Sequence, residues 1–237
     1  LAKNLAAEGA LVVITSRSAA AAEKVAAEIG PQAMALSLDV SEESSVNAMV
    51  RETLARFGTI DILINNAGMV PPFREIVDMP LEEWDQTMTV NLRGTFLCCK
   101  AVLPTMIAKR YGKIINFGAG VLDERVQPGV TPYCVSKAGI INFTRHLAAE
   151  VRRYGINVNV IDPGAVRTGM ADGFEVNQET KRWLSLQQIV DETHGERFRA
   201  PEEIAPLVTF LASDDSKILS GRFLQVTSQA NPYYLQL

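Results

Sequence analysis

Tyr133 and Lys137 stand at i and i+4 in Tyr133-Cys134-Val135-Ser136-Lys137, a spacing that sets a phenol and an ammonium on one face of a helix. A free tyrosine ionises near a pH of about 10, and a neighbouring cation favours the phenolate, bringing the group within reach of acid/base work near neutrality. The spacing alone is common by chance, so the elements around it decide its meaning. Two other stretches carry chemistry. In Asn65-Asn66-Ala67-Gly68, small residues let backbone approach a ligand and amides hold neighbouring strands, although the run reads equally well as a tight turn. In Asp162-Pro163-Gly164, Pro and Gly turn the chain back, and Thr168 beyond them offers a hydroxyl to a carboxamide or phosphate.

Each of these stretches follows a strand-like run. Hydrophobic patterning predicts a helix end at Leu1–Ala6, then strands near 10–15, 33–38, 61–65, 113–117, 157–161 and 222–226. Helices are predicted at 18–29, 41–57, 81–109 with a possible break near Asn91, 132–154 and 201–212. Strands alternating with helices imply right-handed crossovers and a parallel sheet covered on both faces, a doubly wound α/β fold. One domain over 1–237 is expected, because no linker, repeat or low-complexity tract divides it. The excursion 165–199 is too long for an ordinary connection and is expected to be a substrate loop or lid.

Composition excludes other classes. With 47% hydrophobic and 21% charged residues, the chain is neither disordered nor a coiled coil. Twenty-three basic against 27 acidic residues give a net charge of -4, which supplies no broad basic surface for nucleic acid. No apolar run reaches the roughly 18 residues needed to span a bilayer and no signal-peptide pattern opens the chain, so no membrane partner and a cytoplasmic location are expected. Cys98, Cys99 and Cys134 read as reduced core thiols. His146 and His194 lack the companions of a metal site, so no metal is expected.

Six motifs taken together, in order and at the right separations, resemble the short-chain dehydrogenase/reductase family, and its 3-oxoacyl carrier-protein reductase-like members in particular. They are Asp39-Val40, Asn65-Asn66-Ala67-Gly68, Val90-Asn91-Leu92, Tyr133-x-x-x-Lys137, Pro163-Gly164-x-x-x-Thr168 and Pro201-Glu202-Glu203-Ile204-Ala205. The resemblance implies a Rossmann-like fold and an oxidoreductase that interconverts a carbonyl and a secondary alcohol by hydride transfer. Tyr133 would be the general acid/base and Lys137 would bind the nicotinamide ribose and lower the tyrosine's pKa. Asn91 would hold a water that relays protons to that lysine. Asp39 and Val40 would meet adenine; Asn65, Ala67 and Gly68 the ribose side; Pro163, Gly164, Val166 and Thr168 the carboxamide. The partner would be a small carbonyl or alcohol substrate, and the assembly a homodimer or homotetramer.

At the end of the strand 10–15 an acidic residue would favour NAD(H) by binding both ribose hydroxyls. The sequence has Ser16-Arg17-Ser18 instead. A guanidinium fork flanked by hydroxyls suits a 2'-phosphate, so NADP(H) is preferred, with NAD(H) the alternative.

Three departures from the family pattern stand out. The serine that the family places 13 or 14 residues before the tyrosine is missing: Gly118, Ala119 and Gly120 occupy that stretch. The loss of one donor to a developing oxyanion costs about 10²- to 10³-fold in rate, so a weakened or silent protein serving as a cofactor-binding or oligomer-partner subunit is the alternative expectation. Near the C-terminus, Thr227-Ser228-Gln229 replaces an acidic residue and paired glycines. Finally, the family's first strand and glycine-rich phosphate turn have no counterpart before Leu1, so the sequence is expected to be an N-terminally truncated form of a longer protein. That strand would lie mid-sheet in the family pattern, and its absence is expected to leave two rows of strand N–H and C=O groups unpaired.

Overall fold

The computed structural model describes residues 1–120, 129–167 and 199–226. The chain runs α1 (Ala2–Ala7), β1 (Val12–Ser16), α2 (Ala19–Ile29), β2 (Ala33–Ser37), α3 (Glu43–Phe57), β3 (Ile62–Asn65), α4 (Leu81–Met88), α5 (Gly94–Lys109), β4 (Gly112–Phe117), α6 (Thr131–Val151), β5 (Ile156–Asp162), α7 (Pro201–Ala212) and β6 (Phe223–Gln225). Local chemistry sets several of these boundaries. The Ser18 side chain accepts from Ala21 N–H at 3.3 Å and caps α2, while Pro132 sits in the first turn of α6, where its missing N–H costs nothing. Between α4 and α5 the helix widens into one π turn, Thr89–Arg93, centred on Asn91.

Every strand pair is parallel. β4 and β5 are nearly fully buried, as expected of central strands covered on both faces, with Lys113, Asn116, Asn159 and Asp162 as buried polar residues among their apolar ones. Alternate residues face opposite layers: Ile114 and Val158 pack with Val102 and Met106 of α5 and Leu147 of α6, whereas Ile115, Phe117 and Ile161 pack with Leu5 of α1 and with Ile204 and Val208 of α7.

The hydrogen-bonded ladder has two parts, β2 beside β1 and β3-β4-β5-β6. Among the described residues no ladder joins β1 to β3, although Val12, Ile62 and Ile64 pack against the same apolar cluster. Residues 62–64 of β3 are half-buried, while the whole of β4 beside it is buried.

Candidate active site

The strands run parallel within each part of the sheet, so β1 and β2 end together and β3, β4 and β5 end together, at the usual ligand edge of an open α/β sheet, and Val40 after β2 meets Gly94 at the start of α5. This brings together residues scattered over more than half the sequence. Ser16, Arg17 and Ser18 follow β1 and Asp39 and Val40 follow β2. Asn65 ends β3, with Ala67 and Gly68 just beyond, and Pro163 and Gly164 follow β5. Val166 forms a parallel bridge with Arg199. Thr168 lies outside the described residues, as do the rest of the excursion as far as residue 198, with His194, and the stretch Thr227–Gln229.

At the outer end of the rim, Ser16 Oγ accepts from Ser18 N–H at 3.1 Å, which shapes the turn that presents the exposed Arg17 side chain. Asp39 is partly buried and its Oδ1 accepts from Ser41 N–H at 2.9 Å and Ser41 Oγ at 2.6 Å. Those bonds, with Arg17 as a weaker electrostatic contributor, hold the Asp39 carboxyl below the usual range. Val40 packs against Gly94, where a Cβ would meet Val40 Cγ2 at 2.8 Å, so its apolar contact reaches the start of α5.

The Asn65 side chain turns into the protein. Its Nδ2 donates to Asn116 Oδ1 at 2.8 Å and to Cys99 Sγ at 3.3 Å, and Asn116 Nδ2 donates to Thr144 Oγ1 at 2.9 Å. Buried amides in this chain tie β3, β4, α5 and α6 together, which leaves Ala67 and Gly68 as the rim-facing part of the turn.

Tyr133 and Lys137 share one face of α6, with Lys137 Nζ 5.6 Å from the Tyr133 ring centroid. Lys137 is 5% exposed and donates to Phe117 C=O at 2.8 Å, so the helix is pinned to the last residue of β4. Burial brings the lysine down to about 8, against the opposing influence of Asp162. The phenol departs from the expectation that the ammonium lowers it: burial, then the Asp162 and Cys134 charges, push Tyr133 well above the ordinary tyrosine range. Desolvation of the anion outweighs a cation that sits beside the ring and is already engaged with a carbonyl.

Asn91 is fully buried and does not reach Lys137 through its side chain. Its Nδ2 donates to Met69 C=O at 2.9 Å and to Ser136 Oγ at 3.0 Å, while its Oδ1 accepts from Met69 N–H at 2.8 Å. Ser136 Oγ in turn donates to Tyr133 C=O at 2.7 Å. Asn91 therefore joins the loop after β3 to the helix turn that carries Tyr133, and its own C=O accepts from Thr95 Oγ1 at 2.8 Å. A second tie, Arg74 N–H to Gly129 C=O at 2.9 Å, seats the end of the Met69–Phe73 loop beside the start of α6.

Sequence reading alone did not single out two buried charges here. Asp162 is 5% exposed at the end of β5, and Arg199 is 6% exposed with its guanidinium against Gly164. A polar residue just before Pro-Gly at a strand end was the available signal for the first. The second had none, because its contact depends on the long excursion returning to the sheet. Among the described residues no group of His, Cys, Asp or Glu could hold a metal ion, and no helix is long and apolar enough to cross a membrane.

This rim, with its tyrosine–lysine helix, belongs to a known class. A family model described as enoyl-(acyl carrier protein) reductase matches residues 1–228, and the chain belongs to the short-chain dehydrogenase/reductase family. It is an oxidoreductase of the kind that interconverts a carbonyl and an alcohol by hydride transfer. Its particular relatives include the 3-oxoacyl-[acyl-carrier-protein] reductase of Haemophilus influenzae, 36% identical over 226 residues that make up 95% of this chain and 90% of that protein. The inactive 2-(S)-hydroxypropyl-CoM dehydrogenase 2 of Xanthobacter autotrophicus is 35% identical over 215 residues, 90% of this chain and 91% of that protein. Among solved structures, 3-ketoacyl-(acyl-carrier-protein) reductase from Brucella melitensis complexed with NADH superposes with a TM-score of 0.85 at 30% identity, covering 95% of this chain and 89% of that one. Levodione reductase gives 0.86 at 30% identity, with the same 95% and 89% coverage.

Proposed function

We propose that this chain is an NADP(H)-preferring reductase of a small carbonyl compound, with Tyr133 as the proton donor. The observation that carries this reading is the Tyr133–Lys137 pair on α6, pinned at the strand rim through Phe117 C=O. The donor set fits a dinucleotide: an exposed guanidinium and two serine hydroxyls at the end of β1, a carboxylate at the end of β2, and small residues at the ends of β3 and β5. When bound, the nicotinamide supplies the hydride.

The residues then divide the work. Arg17, with Ser16 and Ser18, holds the 2'-phosphate; Asp39 and Val40 face adenine; Ala67 and Gly68, with the backbone of Asn65, border the ribose; Pro163, Gly164, Val166 and Thr168 border the carboxamide. Lys137 holds ribose hydroxyls and offers a positive field, and Asn91 fixes the loop and helix against each other. Tyr133 Oη hydrogen-bonds the carbonyl oxygen and releases its proton to it as that oxygen gains charge, so the O–H bond of the phenol breaks as that of the alcohol forms. A high phenol pKa keeps Tyr133 in the proton-donating form at neutral pH, which favours the reductive direction. The Haemophilus relative is, by its name, a reductase of 3-oxoacyl-[acyl-carrier-protein], and a β-keto acyl or β-keto ester substrate is accordingly the first class to test. The excursion 165–199 is the substrate loop, and the assembly is a homodimer or homotetramer.

The absence of a hydroxyl at Gly118, Ala119 and Gly120 favours a second reading, in which the fold and cofactor affinity are kept without turnover, as the name of the Xanthobacter relative illustrates. NADPH and NADH consumption over a panel of β-keto esters, β-keto thioesters and ketones separates the two. Turnover with NADPH, lost in Tyr133→Phe, supports the reductase. Tight NADPH binding with no turnover on any substrate supports the silent protein.

A further inference from the structure

The Tyr133–Lys137 pair has a third charged neighbour that its motif does not contain. We propose that Asp162 is the buried counter-charge of this pair, a positioning residue whose fixed carboxylate sets the pH range over which the pair works. The inference rests on the reading of Tyr133 and Lys137 as the acid/base unit.

The geometry is that of a built site. Asp162 ends β5 and is 5% exposed; its Oδ1 accepts from Gly164 N–H at 2.9 Å and its Oδ2 lies 3.4 Å from Gln225 Nε2, while its C=O accepts from Val226 N–H at 2.8 Å. The carboxylate is therefore held by its own turn and by the neighbouring strand. The β4–β5 register sets Phe117 opposite Ile161, and Gly118 N–H donates to Ile161 C=O at 2.8 Å. Since Lys137 Nζ sits on Phe117 C=O, Asp162 lies one residue past the rung that anchors the ammonium.

Turn formation does not explain the charge. Asn or Ser in this position would accept the Gly164 N–H equally well, without the cost of burying an anion. What the charge does is act on both members of the pair in one sense. It adds to burial in favouring the protonated Tyr133, and it opposes the loss of charge that burial imposes on Lys137. Among the described residues, the other titratable or charged groups around the pair are Cys134 on α6 itself and the buried Arg199, whose guanidinium lies against Gly164. With Asp162 in place, the pair rests as phenol and ammonium, the form that donates a proton to a carbonyl.

Asp162→Asn and Asp162→Ser remove the charge and retain an acceptor for Gly164, so one serves if the other folds poorly. Carbon NMR of isotope-labelled lysine, with Lys137→Met as the assignment control, reads the Lys137 midpoint without any need for turnover. It should fall to lower pH in both variants, and the alkaline limb of the reductive kcat/KM profile should move the same way. Gln225→Leu keeps the carboxylate and should leave both readings near those of the parent. An unmoved Lys137 midpoint in the Asp162 variants overturns the proposal, as does a shift of equal size in Gln225→Leu, which would mean that the carboxylate acts only through the scaffold. If no protein turns over any substrate, the reductase reading falls, while the NMR midpoint still decides the role of Asp162.

Discussion

The Lys137 ammonium donates to the Phe117 carbonyl at 2.8 Å, joining the second turn of α6 to the last residue of β4. This one bond sets the tyrosine-bearing helix relative to the sheet rim, and it keeps a charge inside the protein where burial disfavours it.

Lys137→Met should therefore make the protein more stable and less active. Its folded pKa of about 8 lies below the free value of 10.5, so the unfolded chain binds the extra proton between those limits. The destabilisation is full below a pH of about 8 and fades as pH rises toward 10.5. At neutral pH the variant should gain on the order of 2 kcal/mol after loss of the Phe117 bond, and the gap should narrow across that window. Urea unfolding at several pH values, alongside NADPH turnover, checks both halves.

Alcohol oxidation and carbonyl reduction should differ in pH response. Oxidation needs the Tyr133 phenolate, which burial opposes, so its rate should climb through the alkaline range without levelling off near neutrality. Reduction needs the phenol and a charged Lys137, so it should decline as pH rises past about 8. Initial rates in both directions across pH test this; an oxidation profile flat from neutrality upward would contradict it.

Ala119→Ser offers a hydroxyl where Gly118, Ala119 and Gly120 have none. If the site works with one donor to the carbonyl oxygen, a second should raise kcat by up to about 10²-fold with little change in stability. Steady-state kinetics and a melting curve on the same preparation read the two effects apart.

Arg17→Asp should reverse cofactor choice. The side chain is exposed after β1 and lies within electrostatic reach of Asp39, so an acid there would repel a 2'-phosphate and offer an acceptor to ribose hydroxyls. Dissociation constants for NADPH and NADH should move in opposite directions. Unchanged NADPH affinity would remove Arg17 from the site.

Asn116→Leu should cost stability in the buried amide chain. It removes the acceptor of Asn65 Nδ2 and the donor to Thr144 Oγ1 in a region closed to solvent. A loss of about 1–3 kcal/mol is expected, readable by denaturant titration.

Much of the fold was legible because its signals are local. Apolar alternation with Gly and Pro punctuation placed α7 at 201–212 and the other elements within about two residues, apart from the helix end at 154, where the last turn tightens to a 3-10 helix over Arg152–Tyr154. The suspected break near Asn91 is the π turn. The electrostatics of the site were not legible in the same way. Whether Lys137 lowers Tyr133 depends on how deeply both are buried and on Asp162, which joins them only through the β4–β5 register. Asn91 was read as holding a water that relays protons to Lys137, and its side-chain contacts with Met69 and Ser136, which a helix broken at that residue makes possible, had no signal in the sequence.

The measurement that bears most directly on the account is kcat/KM for NADPH-dependent carbonyl reduction in the parent protein and in Tyr133→Phe, with NADPH affinity measured in both. The account predicts turnover in the parent, a loss of about 10²- to 10⁴-fold in the variant and unchanged cofactor binding. Equal turnover in the two proteins would contradict it.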